Sequence, residues 1–168
     1  MAAMGNPAYE PAAWENFAVA QVGAAAALAG LLVVAGSINI SRIIHIPAIV
    51  SRLAATLVLF GAVLIVATLL LVPGQRRVWL GLELAVIGGV AAALVIRLRG
   101  TRTSDPRYRG YAIAIAAVGV TASVSIAVGG LTLAAERFGG LYWLVPGTVL
   151  AFAVGLGNAW VALVEILR

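Results

Sequence analysis

Apolar residues fill five long stretches of this 168-residue chain, and most polar residues lie in the short intervals between them. The apolar stretches cover residues 16–40, 48–72, 78–98, 110–134 and 141–166. The intervals carry helix breakers, among them Pro47, Pro73, Gly74, Gly139 and Gly140. A helix needs about 20 apolar residues to cross the hydrocarbon core of a bilayer. The pattern therefore predicts an all-α integral membrane protein with one transmembrane domain over residues 1–168, built from five helices (spans one to five in chain order).

The composition indicates a surface that faces lipid. Hydrophobic residues make up 63% of the chain and charged residues only 10%, whereas a soluble domain has about a quarter of its residues charged. Cysteine is absent and His45 is the only histidine, which excludes a disulfide framework, a bis-histidine haem and the usual zinc and iron–sulfur ligand sets. We therefore predict that the protein binds no cofactor and no metal.

The net charge of +5 comes from arginines that flank the apolar stretches, which is typical of topology signals and argues against a nucleic-acid partner. One side of the predicted membrane has Arg42, Arg52, Arg97, Arg99, Arg102, Arg107, Arg109 and Arg168. The other side has Arg76, Arg77 and Arg137, together with Glu10, Glu15 and Glu136. Because the arginine-rich side faces the cytoplasm, we predict an external N-terminus and a cytoplasmic C-terminus. Trp14, Trp79 and Trp143 fall at the external ends of spans one, three and five, where indole favours the membrane interface.

Small residues spaced four apart recur in the spans. Such residues share one helix face and let helices approach closely in lipid. The longest series lies in span five and consists of Gly147, Ala151, Gly155 and Ala159. Shorter series are Gly23 with Ala27 and Ala26 with Gly30 in span one, Ala85, Gly89 and Ala93 in span three, and Gly119, Ser123 and Ala127 in span four. We predict helix contacts at these faces, either within the chain or with other subunits, including further copies of the chain.

Glu83 is the most informative polar residue, because it lies roughly 6 Å below the external boundary of span three at 1.5 Å per residue. A carboxylate near mid-membrane costs on the order of 3 kcal/mol, and less near the edge. One hypothesis is an ion or proton site. The alternative is a carboxylate that reaches the interface, stays protonated or pairs with Arg76 or Arg77. Gln21 lies at a similar depth in span one, so a hydrogen bond between Gln21 and Glu83 is also consistent with the sequence.

Two more intramembrane polar residues lie in span five. For Asn158, an interhelical hydrogen bond is favoured over a substrate ligand. For Glu165, a salt bridge to Arg42, Arg52 or Arg97 is favoured over a catalytic or relay role.

The hairpin between spans three and four is rich in arginine. Its candidate contacts to anionic lipid head groups are Arg97, Arg99, Arg102, Arg107 and Arg109. Ordinary charge bias of a cytoplasmic loop explains these residues equally well. The chain contains no paired-carboxylate motif, no serine with a histidine at a suitable depth and no glycine-rich phosphate loop, so we predict that it is not an enzyme.

Three segments resemble those of a family of small, uncharacterised bacterial membrane proteins: WENFAVAQVGAAAALAGLLVVAGSINISRI, LLLVPGQ and GLYWLVPGTVLAFAVGLGNAWVALVEILR. Members of that family are sometimes labelled modulators of the FtsH protease. The resemblance implies a multi-pass protein of the bacterial inner membrane. It implies no catalytic or binding residues.

Three functions fit these features. The favoured one is a non-enzymatic accessory or structural subunit that packs against a larger membrane assembly, such as a transporter, a protease or a respiratory complex. The second is a homo-oligomeric channel or small transporter that uses Glu83 and Gln21 near its external mouth. The third is a protein that contacts anionic lipid through the arginine-rich hairpin.

Overall fold

The computed structural model describes residues 6–38, 40–99 and 106–167, and within these ranges the chain forms helices and turns without a β-strand. The helices are α1 (Glu15–Ile38), α2 (Ile40–Ile43), α3 (Pro47–Leu70), α4 (Arg77–Arg99), α5 (Pro106–Ala134) and α6 (Leu144–Leu167). Short 3-10 turns cover Pro7–Tyr9, Pro11–Trp14 and Gly140–Trp143. Within the described ranges, α1, α3, α4, α5 and α6 are long and apolar enough to cross a membrane. The prediction of an all-helical protein with five such helices is confirmed.

Proline and glycine determine where the helices begin and end. Pro47 occupies the first turn of α3, where its missing N–H removes no internal hydrogen bond. Gly139 and Gly140 have positive φ values of 97° and 49°, which interrupt helical geometry. A 3-10 turn over Gly140–Trp143 therefore precedes α6, which begins at Leu144, and the continuous helical segment starts at Gly140, close to the predicted residue 141.

The most extensive helix–helix interface joins α4 to α5. A Cβ atom added at Gly81 would lie 2.6 Å from the carbonyl oxygen of Gly130, and one added at Gly88 would collide with the backbone of Ala127. Only glycine allows two backbones to approach this closely. Gly119 and Ser123 of α5 are buried as well, so the predicted small-residue face of span four lies in helix contacts.

The predicted contact face of span three is correct only at Ala85, whose backbone lies against Gly130 of α5. A Cβ atom added at Gly89 would have nothing within 4 Å, and both Gly89 and Ala93 are exposed. The face that contacts α5 runs instead through Gly81 and Gly88 to the buried Val95. These residues repeat every seven positions, which keeps them on one side of a helix with 3.6 residues per turn.

Helix α6 packs against α5 and α3 through its small-residue face. Gly147 approaches Ile126 of α5, Ala151 is fully buried, and Gly155 lies directly against the ring of Phe60 of α3. Ala159 is half-buried. The largest core residues around these contacts are Leu59, Val63, Leu80, Leu84, Ile126, Leu133 and Leu144.

Helix α1 is peripheral and packs chiefly against α3. Only 17% of the residues in its most apolar stretch are buried, whereas the share is 33–44% in the other four long helices. Ala18, Ala25 and Leu32 form its buried face. The opposite face carries Gly23 and Gly30, which have nothing within 4 Å of a Cβ position.

Candidate functional site

Glu83 is half-buried on α4, six residues and about 9 Å beyond the start of the helix at Arg77. Its carboxylate accepts a hydrogen bond of 2.5 Å from the Nε2 atom of Gln75, which lies in the turn between α3 and α4. Neither Arg76 nor Arg77 is its partner among the interactions of the described residues. The carboxylate therefore ties the α3–α4 turn to the second turn of α4.

Gln21 lies on the α1 face that turns toward α3, between the buried Ala18 and Ala25. Its Oε1 atom is buried and has no donor among the described residues, and the same holds for Oε1 of Gln75. Glu83 is bonded to Gln75, and the hydrogen bond between Gln21 and Glu83 that the sequence allowed is not formed. An unpaired amide oxygen in a helix interface destabilises that interface unless a further donor reaches it.

Asn158 joins α6 to α3. Its Nδ2 atom donates to Oγ1 of Thr56 at 3.2 Å, and Thr56 in turn donates to the carbonyl oxygen of Arg52 at 2.9 Å. Asn158 and Thr56 are 4% and 0% exposed, so the pair is enclosed by the helices. This geometry fits an interhelical link, the role that the sequence favoured over a substrate ligand.

We expect the Asn158–Thr56 hydrogen bond to contribute about 1 kcal/mol to the free energy of unfolding, in the range typical of interhelical hydrogen bonds in membranes. A double-mutant cycle with Asn158→Leu and Thr56→Val measures this coupling by unfolding in detergent. Thr121→Val is the matched control, because the Thr121 hydroxyl donates to Ala117 of its own helix and the residue is exposed. Strictly additive effects of Asn158→Leu and Thr56→Val would contradict the link.

An ion-paired cluster connects three segments at the end of the bundle where α1, α4 and α6 begin. Arg77 at the start of α4 lies 2.7 Å from a carboxylate oxygen of Glu10 and 3.4 Å from one of Glu136. The three side chains are 40%, 41% and 55% exposed, so each pair contributes little on its own. Together the two ion pairs place the N-terminal segment (residues 6–14) and the α5–α6 loop (residues 135–143) beside α4.

Backbone contacts lock the same two segments together. Gly140 packs directly against the carbonyl oxygen of Ala8 and the ring of Tyr9, leaving no room for a Cβ atom. The N–H group of Gly139 donates to the hydroxyl of Tyr9 at 3.3 Å. The N-terminal segment is thus anchored to a loop about 130 residues away in sequence.

Trp14 is a core residue of this cluster, so its ring is covered by protein at the end of α1. It is only 8% exposed, and its indole N–H donates to the carbonyl oxygen of Pro7 at 2.8 Å. Its ring makes edge contacts with Phe17 and Tyr142 at centroid distances of 5.4 and 5.1 Å. The ring and the indole N–H of Trp14 therefore both have partners within the protein. Trp79 and Trp143 remain exposed.

Several predicted contacts lie outside the described side chains. These are Glu165 and the hairpin arginines Arg99, Arg102, Arg107 and Arg109, so the salt bridge of Glu165 and most of the lipid contact remain predictions. Arg97 is described and exposed at the end of α4. Within residues 6–38, 40–99 and 106–167, no three His, Asp or Glu side chains lie close enough to hold a metal ion.

Sequence reasoning missed the anchoring of the N-terminal segment. The count of charges by side had already put Glu10, Arg77 and Glu136 at the same end, but it offered no reason to pair them. The only local signal was the run of Pro7 and Pro11, each of which starts a 3-10 turn. Comparison with known protein families, with curated proteins and with solved structures finds no match to this chain.

Proposed function

We propose that this chain is a non-enzymatic accessory subunit of the bacterial inner membrane, which docks on a larger membrane protein through the outward face of α1. In this proposal all five long helices cross the bilayer, with the N-terminus outside and the C-terminus in the cytoplasm. The observation that carries the proposal is the unoccupied small-residue face of α1.

The small-residue faces of the chain fall into two groups. Those of α5 and α6 are occupied by neighbouring helices, as at Gly119 and Gly155. The face of α1 is open at Gly23, Ala27 and Gly30, all of which are exposed. In lipid, where no hydrophobic effect drives helices together, small residues favour association by allowing close backbone approach. An open face of this kind on the least buried helix supports docking there of a helix from a partner protein.

The polar residues support a role by contact and not by chemistry. Glu83 is bonded to Gln75, and Asn158 to Thr56. Arg77 is bonded to two carboxylates on neighbouring segments. Each of these bonds joins structural elements, and none presents a nucleophile together with a base.

The docking face is tested with Gly23→Leu and Gly30→Leu in the full-length protein. We expect both variants to fold, because their side chains meet no atom of the chain and leucine favours helix over glycine. We expect them to lose the co-purifying membrane protein, because leucine keeps the partner helix at a distance. Purification in mild detergent followed by mass spectrometry measures this loss.

Gly61→Leu on α3 is the matched control, because Gly61 is also a helical glycine with nothing within 4 Å. It should retain the partner. Purification of a homo-oligomer without any companion protein would contradict the accessory role. If both α1 variants kept the companion protein, the docking face on α1 would be contradicted, but the accessory role would not.

The proposed orientation has its own test, with a reporter fused in turn to each terminus. We expect an alkaline phosphatase fusion to be active at the N-terminal side and a fluorescent protein to fold at the C-terminal side. Reporters that place both termini in one compartment would exclude five crossings.

A second candidate function is a small channel or transporter. It is favoured by the unpaired, buried Oε1 atoms of Gln21 and Gln75 and by the Glu83 carboxylate beside Gln75, which together supply acceptor oxygens near one end of the bundle. Cations prefer such oxygens. A liposome flux assay with Glu83→Gln tests it, and flux that is absent or unchanged by the substitution would exclude a role for Glu83.

A further inference from the structure

We propose that the α5–α6 loop is a membrane anchor that holds the side chain of Phe138 in the boundary layer between lipid head groups and acyl chains. This loop is separate from the α1 face to which a partner would dock. Its anchoring rests on the membrane placement of the long helices proposed above, and a label on α4 tests that placement separately.

The loop has an unusual backbone. Glu136 and Phe138 adopt positive φ values of 51° and 60°, and they are the two residues other than glycine that do so in the described part of the chain. A left-handed conformation is disfavoured for a bulky residue such as phenylalanine, because its Cβ crowds the backbone. It persists only when surrounding contacts impose it.

Contacts on both sides of Phe138 impose this conformation. On the inner side, Gly140 is pressed against Ala8, which leaves the loop no room to turn its side chains inward. The carbonyl oxygen of Phe138 itself accepts a hydrogen bond of 2.8 Å from the indole N–H of Trp143. The left-handed Glu136 ends α5 in a Schellman motif, in which its N–H donates to the carbonyl oxygen of Leu133 at 3.2 Å and that of Arg137 donates to the carbonyl oxygen of Thr132 at 3.1 Å. These contacts fix the backbone on either side of Phe138, and the ring of Phe138 points away from the protein.

The exposed surface around Phe138 has the chemistry of a lipid interface. Phe138 is 82% exposed, and Trp79, Tyr142 and Trp143 at the same end are 59%, 53% and 41% exposed. Tryptophan and tyrosine rings favour the head-group level of a bilayer, and an apolar phenylalanine ring favours the boundary with the acyl chains. The exposed Arg137 next to Phe138 adds a guanidinium group suited to binding lipid phosphate. The loop follows the last turn of α5, so it meets the membrane at the boundary and not in the hydrocarbon core.

The absence of cysteine from the sequence allows a direct test with single-cysteine variants carrying a nitroxide label. Phe138→Cys, Arg76→Cys and Val86→Cys are reconstituted in vesicles of phosphatidylcholine and phosphatidylglycerol. Paramagnetic relaxation then compares how often the label collides with oxygen, which concentrates in lipid, and with a nickel chelate, which stays in water. Arg76 is the exposed control in the turn between α3 and α4, outside the candidate membrane spans, and Val86, 63% exposed on α4, is the control for membrane insertion.

We expect the labels at residues 138 and 86 to collide several-fold more with oxygen than with nickel, and the label at residue 76 to show the reverse. A label at residue 138 as accessible to nickel as that at residue 76, with residue 86 still in lipid, would overturn the anchor and leave the membrane placement intact. A label at residue 138 that is immobile and shielded from both reagents would also overturn it, because a protein and not lipid would then cover the loop. Nickel access at residue 86 would contradict membrane insertion of α4 itself.

Discussion

Gly88→Leu is expected to separate α4 from α5 and to lower the stability of the protein strongly. A Cβ atom at this position would meet the backbone of Ala127 and lie 2.7 Å from the carbonyl oxygen of Ser123. Backbone atoms of a packed helix cannot rotate aside as a side chain can, so the two helices would have to move apart. Overpacking typically costs about 1–3 kcal/mol, and we expect about 3 kcal/mol here because backbone atoms are in the way. For a chain of this length that corresponds to a fall in Tm of roughly 6–12 °C.

The neighbouring residue is the control for this prediction. Gly89→Leu makes the same chemical change one position further along α4, where nothing lies within 4 Å. We expect its Tm to match that of the unsubstituted protein. Intrinsic tryptophan fluorescence follows thermal unfolding in detergent, because the chain has four tryptophans. Equal effects of the two substitutions would show that α4 does not present Gly88 to α5.

Phe60→Ala is expected to destabilise the protein by about 3–5 kcal/mol, because it empties the space beside Gly155. The Phe60 ring is 1% exposed, and a Cβ atom added at Gly155 would collide with it. Gly155→Leu alone should be destabilising as well, because the ring has no room to withdraw. In the double variant the leucine enters the space that the ring vacates, so we expect part of the lost stability to return.

Unfolding of the two single variants and the double variant in detergent measures this coupling. Gly157→Leu is the control on the same helix, because nothing lies within 4 Å of residue 157. It should neither destabilise the protein nor compensate for Phe60→Ala. A double variant no more stable than the sum of its single changes would contradict the contact between α3 and α6.

The small-residue series illustrate how far sequence reasoning reaches. In α6 the four-residue spacing led to Gly147, Ala151 and Gly155, which all lie against neighbouring helices. In α4 the same reasoning led to Gly89, which is open, while Gly88 carries the contact. The two glycines are adjacent in the sequence. Spacing alone does not distinguish two adjacent residues that are about 100° apart on a helix, and only the position of α5 does.

The polar residues illustrate the same limit. The sequence predicted the positions of Glu83 and Gln21 along their helices, but it did not predict their partners. Glu83 is bonded to Gln75, a residue in a turn whose reach depends on how α3 passes into α4. Trp14 likewise stood at the end of an apolar run, as an interfacial tryptophan does, yet it is buried by the N-terminal segment and by Tyr142.

The sequence by itself determined the number of long apolar helices, their approximate ends and the composition that makes a lipid surface plausible. These properties are local, because run length, proline and glycine positions act within one helix or turn. Only the tertiary structure decided which face of each helix is occupied, that α1 is left open, and that Glu10, Arg77 and Glu136 meet. These properties depend on the rotation of each helix about its axis and on contacts between residues more than 50 positions apart. In a chain whose helices are apolar on every side, no hydrophobic stripe specifies that rotation, so close contacts at glycines such as Gly88 and Gly155 specify it instead.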